Sequence, residues 1–307
     1  MRPHPQPLSA GGEGSPGGAW SLKGPRWRSL ARFGATRMPE WFVRASPPAF
    51  GLIVCALARG PRRIVADNLR VLRPSRGPIT DAIDVARTFT SYAACVTEVL
   101  RGAPKGDQPQ AIVRGDGHLD RALAEGKGVV LVTAHTAGWE FAGRLLMRDR
   151  GLRVMIVERP ERDPVARAIQ DQAREEQGLL VAHAGDDPLA VLPLMRHLRG
   201  GGVVALQIDR VPPGMRSRRV RLFGRPGQVP EGPLRLAAAS GAPVVPVFAA
   251  RTGHWRYEVV VRPALRLSRG ASEAELDGAA QALADALEAF VSLRPTQWFH
   301  FEGQAAR

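Results

Sequence analysis

The segment Lys127–Met147, KGVVLVTAHTAGWEFAGRLLM, joins a short apolar run to the start of an amphipathic helix. Gly128–Ala134 is rich in valine, which is typical of a buried strand in a parallel sheet. The run ends at His135, and apolar residues return at helical spacing from Trp139 onward. The segment therefore predicts a strand, a turn and a helix, with His135 at the carboxyl end of the strand. Open α/β sheets bind their ligands at that edge.

His135 and Glu140 are the candidate chemical pair of this segment. On one continuous helix their side chains would diverge by about 140°, so they can meet only if His135 lies in the turn and Gly138 lets the chain fold back. A carboxylate on one imidazole nitrogen would fix the tautomer and leave the other nitrogen as a general base. The helix N-terminus would also offer N–H groups to an oxyanion. The alternative is a loop histidine and a glutamate placed for the helix dipole.

The composition of the 307 residues is compatible with one α/β domain plus an extension. The net charge of +14 suggests an anionic partner, either nucleic acid, a membrane or an acidic protein. Lysine occurs only at Lys23, Lys105 and Lys127, so the excess is of arginine, which GC-rich coding also produces. Two cysteines without metal-ligand spacing indicate a reducing compartment. No HExxH, CxxC or P-loop pattern is present, and we expect neither a metal nor a cofactor.

Three regions are predicted along the chain. Residues 1–37 have no apolar periodicity and are predicted to be disordered. Residues 38–105 are predicted to be helical and membrane-associating. Their apolar run Pro48–Ala58, bounded by Pro47 and Pro48, is about half the 20 residues that a spanning helix needs. We expect this helix to lie in the membrane surface, with Arg59, Arg62 and Arg63 at headgroup level; the alternative is an ordinary core helix.

Residues 106–307 alternate strands with helices, which predicts an α/β domain with a mostly parallel central sheet covered by helices on both faces. Beyond the central segment, strands are predicted at Arg153–Val157, Leu179–Ala182, Gly202–Leu206, Pro243–Ala249 and Tyr257–Val261. Helices are predicted at Gly115–Glu125, Asp163–Gln177, Pro188–Arg199, Gly232–Ser240 and Ser272–Leu293, the last with Ser272 as its N-cap. Before this domain, helices are predicted at Arg62–Leu72 and Asp81–Arg101.

The block HTAGWE resembles the HxxxxD/E signature of the lysophospholipid acyltransferase superfamily. Its glutamate form and aromatic-rich helix are more like the bacterial lipid A (lauroyl/myristoyl) acyltransferase branch and the related phosphatidylinositol mannoside acyltransferases. Three weaker passages agree in order: the NL pair within Arg62–Leu72, FGRP at Phe223–Pro226, and PTQW at Pro295–Trp298. The resemblance implies a glycerolipid acyltransferase-like fold with catalytic His135 and Glu140.

The resemblance also implies several substrate-binding residues. Gly138 and Trp139 belong to the motif itself. Arg159, just before a proline, would hold a phosphate or polar headgroup through its bidentate fork; the alternative is a surface arginine. Asp209 matches an Asp-Gln-Asp element only in part and is expected to support the site, with Arg210 as its partner.

Two further passages carry expected substrate contacts. Arg225 belongs to the FGRP passage. Glu231 and Gly232 form a Pro-Glu-Gly triplet, which in glycerolipid acyltransferases contacts the acceptor phosphate; the alternative for Glu231 is an interaction with the helix dipole. Trp298 is expected to be a packing residue.

The leading functional hypothesis is an O-acyltransferase on the cytosolic face of the inner membrane, attached peripherally or monotopically. The donor would be acylated acyl carrier protein or acyl-CoA, and the acceptor a hydroxyl of a membrane lipid such as a lipid A precursor or another glycolipid. Alternatives are a lysophospholipid or glycerolipid acyltransferase, a phosphatidylinositol mannoside acyltransferase-like enzyme, a hydrolase, or a non-catalytic basic protein that binds an anionic membrane surface or nucleic acid. The arginines lack interleaved stacking aromatics, which argues against nucleic acid. No G-x-S-x-G elbow supports a hydrolase.

Overall fold

The computed structural model describes residues 34, 37–102, 109–158, 178–183, 188–212 and 214–301, apart from the side chains of 144–149 and 188. Its helices are α1 (Glu40–Leu57), α2 (Arg59–Leu72), α3 (Pro78–Arg101), α4 (Asp116–Leu123), α5 (Trp139–Arg150), α6 (Val191–Arg199), α7 (Gly232–Ser240) and α8 (Glu273–Leu293). Its strands are β1 (Gln110–Arg114), β2 (Val129–Thr133), β3 (Val154–Glu158), β4 (Leu180–His183), β5 (Val203–Gln207), β6 (Ser217–Leu222), β7 (Arg225–Pro230), β8 (Val244–Gly253) and β9 (Arg256–Val261). Short 3-10 turns lie at Pro188–Ala190 and Pro295–Gln297. The helix predicted at Asp163–Gln177 and most of the segment 1–37 lie outside the described residues.

The central sheet has seven strands in the order β1-β9-β8-β2-β5-β3-β4. Strands β8, β2, β5, β3 and β4 are mutually parallel, while β9 returns antiparallel to β8 and carries β1 on its outer side. The prediction of a mostly parallel sheet is confirmed. In the β2–β5 pair Thr133 lies opposite Gln207, so these two strands end at the same level.

Both faces of the sheet are covered because side chains of a strand alternate between them. On one face Val130 and Val132 pack in a cluster with residues of α6, α7 and α8, among them Leu198, Leu234 and Leu283. On the other face Val129 and Leu131 pack with Leu119 and Ala122 of α4 and Ala142 of α5. All five residues of β2 are buried, which is why its sequence reads as a continuous apolar run.

The arginine-rich segment after β5 forms a hairpin that the sequence analysis did not predict. Strands β6 and β7 pair antiparallel around a two-residue turn in which Phe223 and Gly224 both have positive φ, 53° and 74°. Such turns match the twist of the flanking strands. Exposed Arg219 and Arg221 alternate with buried Val220 and Leu222. The charge of the arginines hid this period-two pattern, and β1 was missed as well.

Helix α1 runs through Pro47 and Pro48, so the prediction that these prolines bound the helix is wrong. Its buried residues recur at every fourth position: Val43, Pro47, Gly51 and Cys55. A Cβ at Gly51 would lie 2.7 Å from the Cα of Thr90 in α3. This close approach lets tertiary packing outweigh the hydrogen bonds that the prolines remove.

The described helices include none that is long and apolar enough by itself to span a membrane. Helices α1 and α2 reach the length and apolar character of a membrane span only when taken together, and the chain bends by 99° at the break between them. At this bend Arg62 donates from Nη1 to the carbonyl oxygens of Cys55 (3.1 Å) and Ala56 (3.0 Å). Arg62 therefore caps α1, while Arg59 and Arg63 are exposed.

A buried carboxylate joins the N-terminal helices to the sheet. Glu98 in α3, with a side chain 3 % exposed, accepts hydrogen bonds through Oε1 from Arg251 Nε (2.9 Å) and Nη2 (2.8 Å). Its other oxygen accepts from the hydroxyl of Tyr257. Burial lowers the pKa of Arg251, but Glu98 outweighs this effect and leaves that pKa raised.

We expect Glu98→Gln to lower the free energy of unfolding by about 3 kcal/mol, because it leaves Arg251 partly buried without a counter-charge. The matched control is Asp67→Asn, whose carboxylate forms an ion pair with Arg70 on the surface, with both side chains more than 60 % exposed. That change should cost at most about 0.5 kcal/mol. Urea denaturation of both variants measures the difference, and equal losses would contradict a structural role for the Glu98 network.

Candidate active site

His135 lies in the turn between β2 and α5, as predicted. The turn closes at Gly138, which has φ of 89° and immediately precedes α5. A Cβ at this position would lie 2.4 Å from Cδ1 of Tyr257, so both the backbone angle and the available space require glycine. The chain therefore turns at Gly138, which is the condition stated for a meeting of His135 and Glu140.

The carboxylate that holds His135 comes from Asp209. Nδ1 of His135 lies 2.9 Å from Oδ1 of Asp209, and the Asp209 side chain is fully buried while that of His135 is 25 % exposed. Asp209 follows β5, where Ile208 N donates to Thr133 O at 2.9 Å and continues the pairing of the two strands. His135 and Asp209 each lie two residues beyond the paired strand ends Thr133 and Gln207, which brings them side by side.

Asp209 is ionised. Burial would raise its pKa, but the charges of His135, Arg210 and His300 and the hydrogen bond from His135 outweigh burial and hold the pKa below its usual range. The pair therefore stabilises the fold above the usual titration range of aspartate, and this stabilisation is lost only as the pH falls through the lowered pKa. A carboxylate accepts hydrogen bonds only, so Nδ1 of His135 carries the proton and Nε2 is the nitrogen able to accept one.

The prediction that Glu140 orients His135 is corrected by this geometry. Glu140 lies in the first turn of α5, on the wall of a neighbouring cavity, and Asp209 is the carboxylate bonded to an imidazole nitrogen, Nδ1. The reason is topological, because the pairing of β2 with β5 brings together residues 74 positions apart. A separate catalytic contribution of Glu140 stays a prediction.

An apolar cavity lies beside His135, between α5 and the sheet. It contains about 530 Å³ of space between atoms, part of it open to solvent. Its apolar wall on the sheet side includes Leu131, Val154, Ile156, Ala205 and Val247. Trp139 and Glu140 of α5 line it too, and the ring of Trp139 lies 6.2 Å from that of His135. The site therefore places a polar base next to an apolar chamber.

The other residues predicted to bind substrate are spread over the molecule. Arg159 lies outside the described residues. Arg225 is exposed at the start of β7, one residue beyond the hairpin turn. Phe223 of the same passage has its ring 5.5 Å from that of Trp298, which links the hairpin to the site.

Glu231 belongs to a cluster of ion pairs. Its Oε1 accepts from Arg218 Nη2 and from Arg235 Nε, both at 2.6 Å, and its side chain is 7 % exposed. Burial would raise the pKa of Glu231, but the two arginines lower it. These partners are at odds with the predicted contact to an acceptor phosphate, while the prediction for exposed Gly232 at the start of α7 stays untested.

The role of the C-terminal strap, which we define as Pro295–Phe301, is not evident from the sequence. Trp298, expected only to pack, donates from Nε1 to Oδ2 of Asp209 at 3.1 Å. The NL pair of the sequence analysis supplies Asn68, whose Nδ2 donates to the carbonyl of His300 at 2.7 Å. The PTQW and NL passages occur in the same order as in the resembling family, and this was the sequence signal for both. The order did not indicate that the two passages are in contact.

A histidine held by a buried carboxylate beside an apolar cavity is suited to general-base chemistry on an apolar substrate. Within the described ranges, no three His, Cys, Asp or Glu residues are grouped to hold a metal ion. The sequence profile of the bacterial lipid A biosynthesis acyltransferases matches residues 31–304. The chain therefore belongs to this acyltransferase family.

The chain is also similar to individual proteins. The chain is 30 % identical over 291 residues to a phosphatidylinositol mannoside acyltransferase of Mycobacterium tuberculosis, covering 91 % of this chain and 87 % of that protein. It is 27 % identical over 207 residues to a lipid A biosynthesis acyltransferase of Haemophilus influenzae, covering 66 % and 61 %. Among solved structures, a 1-acyl-sn-glycerophosphate acyltransferase from Thermotoga maritima matches with a TM-score of 0.37 and 12 % identity, covering 82 % of this chain and 97 % of that one.

We expect Asp209→Asn to lower kcat by about 10³–10⁴-fold while the protein stays folded, because the amide can donate to Nδ1 and so favour the wrong tautomer of His135. The matched control is Asp277→Asn, which removes a carboxylate that is 60 % exposed and pairs with Arg218. An acyl-transfer assay on both purified variants measures the change in kcat. Near-normal turnover by Asp209→Asn would contradict the assignment.

Proposed function

We propose that this protein is an O-acyltransferase that moves a fatty acyl chain from an acyl thioester to a hydroxyl of a membrane lipid, with His135 as the general base. The observation that carries the proposal is the hydrogen bond between His135 Nδ1 and the buried carboxylate of Asp209. That bond orients Nε2 of a partly exposed imidazole, as deprotonation of an incoming hydroxyl requires.

The reaction needs one base and no covalent enzyme intermediate. Nε2 of His135 takes the proton of the acceptor hydroxyl as its oxygen attacks the thioester carbonyl. Asp209 stabilises the imidazolium that forms. When the tetrahedral intermediate collapses, the C–S bond breaks, and the imidazolium returns the proton to the leaving thiolate. The products are an ester and a free thiol.

The apolar cavity is the proposed site of the acyl chain. Its sheet side is lined mostly by apolar residues, with Thr133 and Gln207 as the polar exceptions. Trp139 lines this cavity, and its ring lies 6.2 Å from that of His135. A chain bound there would bring its thioester carbonyl to the turn that carries His135.

We propose a glycolipid acceptor of the phosphatidylinositol mannoside or lipid A precursor type. Support comes from the relatives, since the mycobacterial protein named for phosphatidylinositol mannoside acylation aligns over 91 % of this chain. The alternative acceptor is a lysophospholipid or glycerolipid, and the donor is acyl-CoA or acylated acyl carrier protein. A purely membrane-binding role is disfavoured, because it gives no reason to bury an ionised Asp209 against a histidine.

We expect the purified protein to acylate a glycolipid, and His135→Ala to lower this rate by about 10²–10⁴-fold because the base is lost. Each donor should be tested with phosphatidylinositol mannosides, a lipid A precursor and lysophosphatidic acid, with the products followed by mass spectrometry. The control is His118→Ala, which removes a partly exposed imidazole bonded to Arg121 on α4. Full turnover by His135→Ala would refute the mechanism, and acylation of lysophosphatidic acid alone would refute the glycolipid acceptor.

We also propose that α1 attaches the enzyme to the cytosolic face of the inner membrane without crossing it. The face of α1 opposite Val43 and Cys55 exposes large apolar side chains: Trp41, Phe42, Leu52, Ile53 and Leu57 are each 40 % exposed or more. Exposed Arg59 and Arg63 follow at once. Such an apolar face flanked by arginines suits an interfacial helix on anionic lipid.

We expect the protein to float with anionic liposomes, less with neutral ones, and less again at high salt, since each arginine near the surface contributes about 1 kcal/mol. Ile53→Glu should reduce flotation sharply, because Ile53 is 56 % exposed and would enter the lipid. The control is Leu293→Glu at the end of α8, a site 73 % exposed and remote in sequence. Equal flotation of the two variants would contradict attachment through α1, and resistance to carbonate extraction would contradict peripheral attachment.

A further inference from the structure

The C-terminal strap closes over both chain segments that form the catalytic pair. Ala137 N donates to Gln297 O at 3.0 Å, and Phe299 N donates to His135 O at 2.7 Å, while Thr136 and Trp298 form an antiparallel bridge. The turn that carries His135 is therefore bonded to the strap on both sides of Thr136. The backbone of His135 is fixed independently of its side chain.

The strap also makes two hydrogen bonds to Asp209 and one to its neighbour Arg210. Trp298 Nε1 donates to Oδ2 at 3.1 Å, while Oδ1 is taken by His135. His300 Nε2 lies 3.1 Å from the main-chain carbonyl of Asp209, and Arg210 Nη2 donates to Phe299 O at 2.7 Å. With a donor on each oxygen, the carboxylate cannot rotate about its Cβ–Cγ bond without breaking a hydrogen bond.

We infer that Trp298 is a positioning residue for acyl transfer, acting through Asp209 on His135. Its indole N–H fixes the plane of the carboxylate, and the carboxylate in turn fixes the proton of His135 on Nδ1. This role goes beyond the packing expected from the sequence, and its kinetic part rests on the proposed function.

Trp255 provides a matched comparison within the same chain. Both indoles are 5 % exposed and both lie in ring–ring contacts, Trp298 with Phe223 and Trp255 with Phe141. The Nε1 of Trp255, however, is buried without a hydrogen-bond partner among the described residues. Exchange of either tryptophan for phenylalanine removes a similar amount of packing, but only at position 298 does it remove a hydrogen bond to the carboxylate.

The kinetic test compares Trp298→Phe with Trp255→Phe in the acyl-transfer assay. We expect Trp298→Phe to lower kcat about tenfold, as the loss of a hydrogen bond to a charged group does, with KM nearly unchanged and a similar fall in Tm for both variants. In an Asp209→Ala background, Trp298→Phe should cause no further loss, because its effect passes through Asp209. An equal loss in both backgrounds would show that Trp298 contributes packing alone and would overturn the inference.

The structural test needs no substrate, so it separates this inference from the proposed function. NMR of the protein labelled with ¹⁵N-histidine reports which ring nitrogen is protonated, and the His135→Ala spectrum identifies the signal among seven histidines. We expect the Nδ1–H tautomer in the parent protein and in Trp255→Phe, and a mixture of tautomers in Trp298→Phe. An unchanged tautomer would overturn the inference even if acyl transfer is observed.

A further measurement covers the case in which Trp298→Phe does not fold. The indole N–H signal of Trp298 should move when Asp209 is changed to alanine, and that of Trp255 should stay in place. If neither signal moves, the hydrogen bond from Trp298 to Asp209 is absent and the inference fails.

Discussion

The candidate active site depends on the burial of one carboxylate. Removing the charge of Asp209 from water is costly, and the fold offsets this cost by surrounding the group with donors and positive charge. His135 and Trp298 each bind one of its oxygens, and Arg210 and His300 lower its pKa further. The same contacts fix the tautomer and the direction of His135. A carboxylate in water would rotate freely, and water molecules would compete with His135 for its oxygens.

This arrangement requires three distant parts of the chain to meet at one edge of the sheet. Strands β2 and β5 bring His135 beside Asp209, and the strap arrives after α8 has crossed the molecule. The N-terminal helices then support the strap from outside. Asn68 in α2 bonds the carbonyl of His300, and the ring of Phe301 lies 5.5 Å from that of Phe89 in α3. A change in the position of the helices would therefore reach His135 and Asp209 through the strap.

Some of the arginines that make the chain basic form ion pairs within the fold. Arg218 binds Glu231, Glu273 and Asp277 at once, and these hydrogen bonds raise its pKa. Arg251 is engaged by Glu98. Net charge alone therefore overstates how much positive surface is offered to a partner. The arginines open to an anionic surface are the exposed ones, such as Arg59 and Arg63 beside α1.

The sequence by itself determined those features that depend on neighbouring residues. The apolar run of β2, the turn at Gly138, the helix cap at Ser272 and the alternation of strands with helices are all local, and they predicted the sheet and the position of His135. The hairpin β6–β7 was not predicted, because its arginines masked the alternation of buried and exposed residues. The extent of helix α1 was predicted wrongly, because packing against α3 at Gly51 outweighs the helix-breaking effect of the two prolines.

Only the tertiary structure decided which carboxylate serves His135. Glu140 is five residues away in sequence, and Asp209 is 74 residues away. The order β2-β5 within the sheet, which no local pattern encodes, makes Asp209 the neighbour. The same holds for Trp298, whose indole meets Asp209 because the chain returns across the sheet edge after α8. Residue types and spacing singled out His135, whereas strand order and the path of the C-terminal strap selected its hydrogen-bond partners.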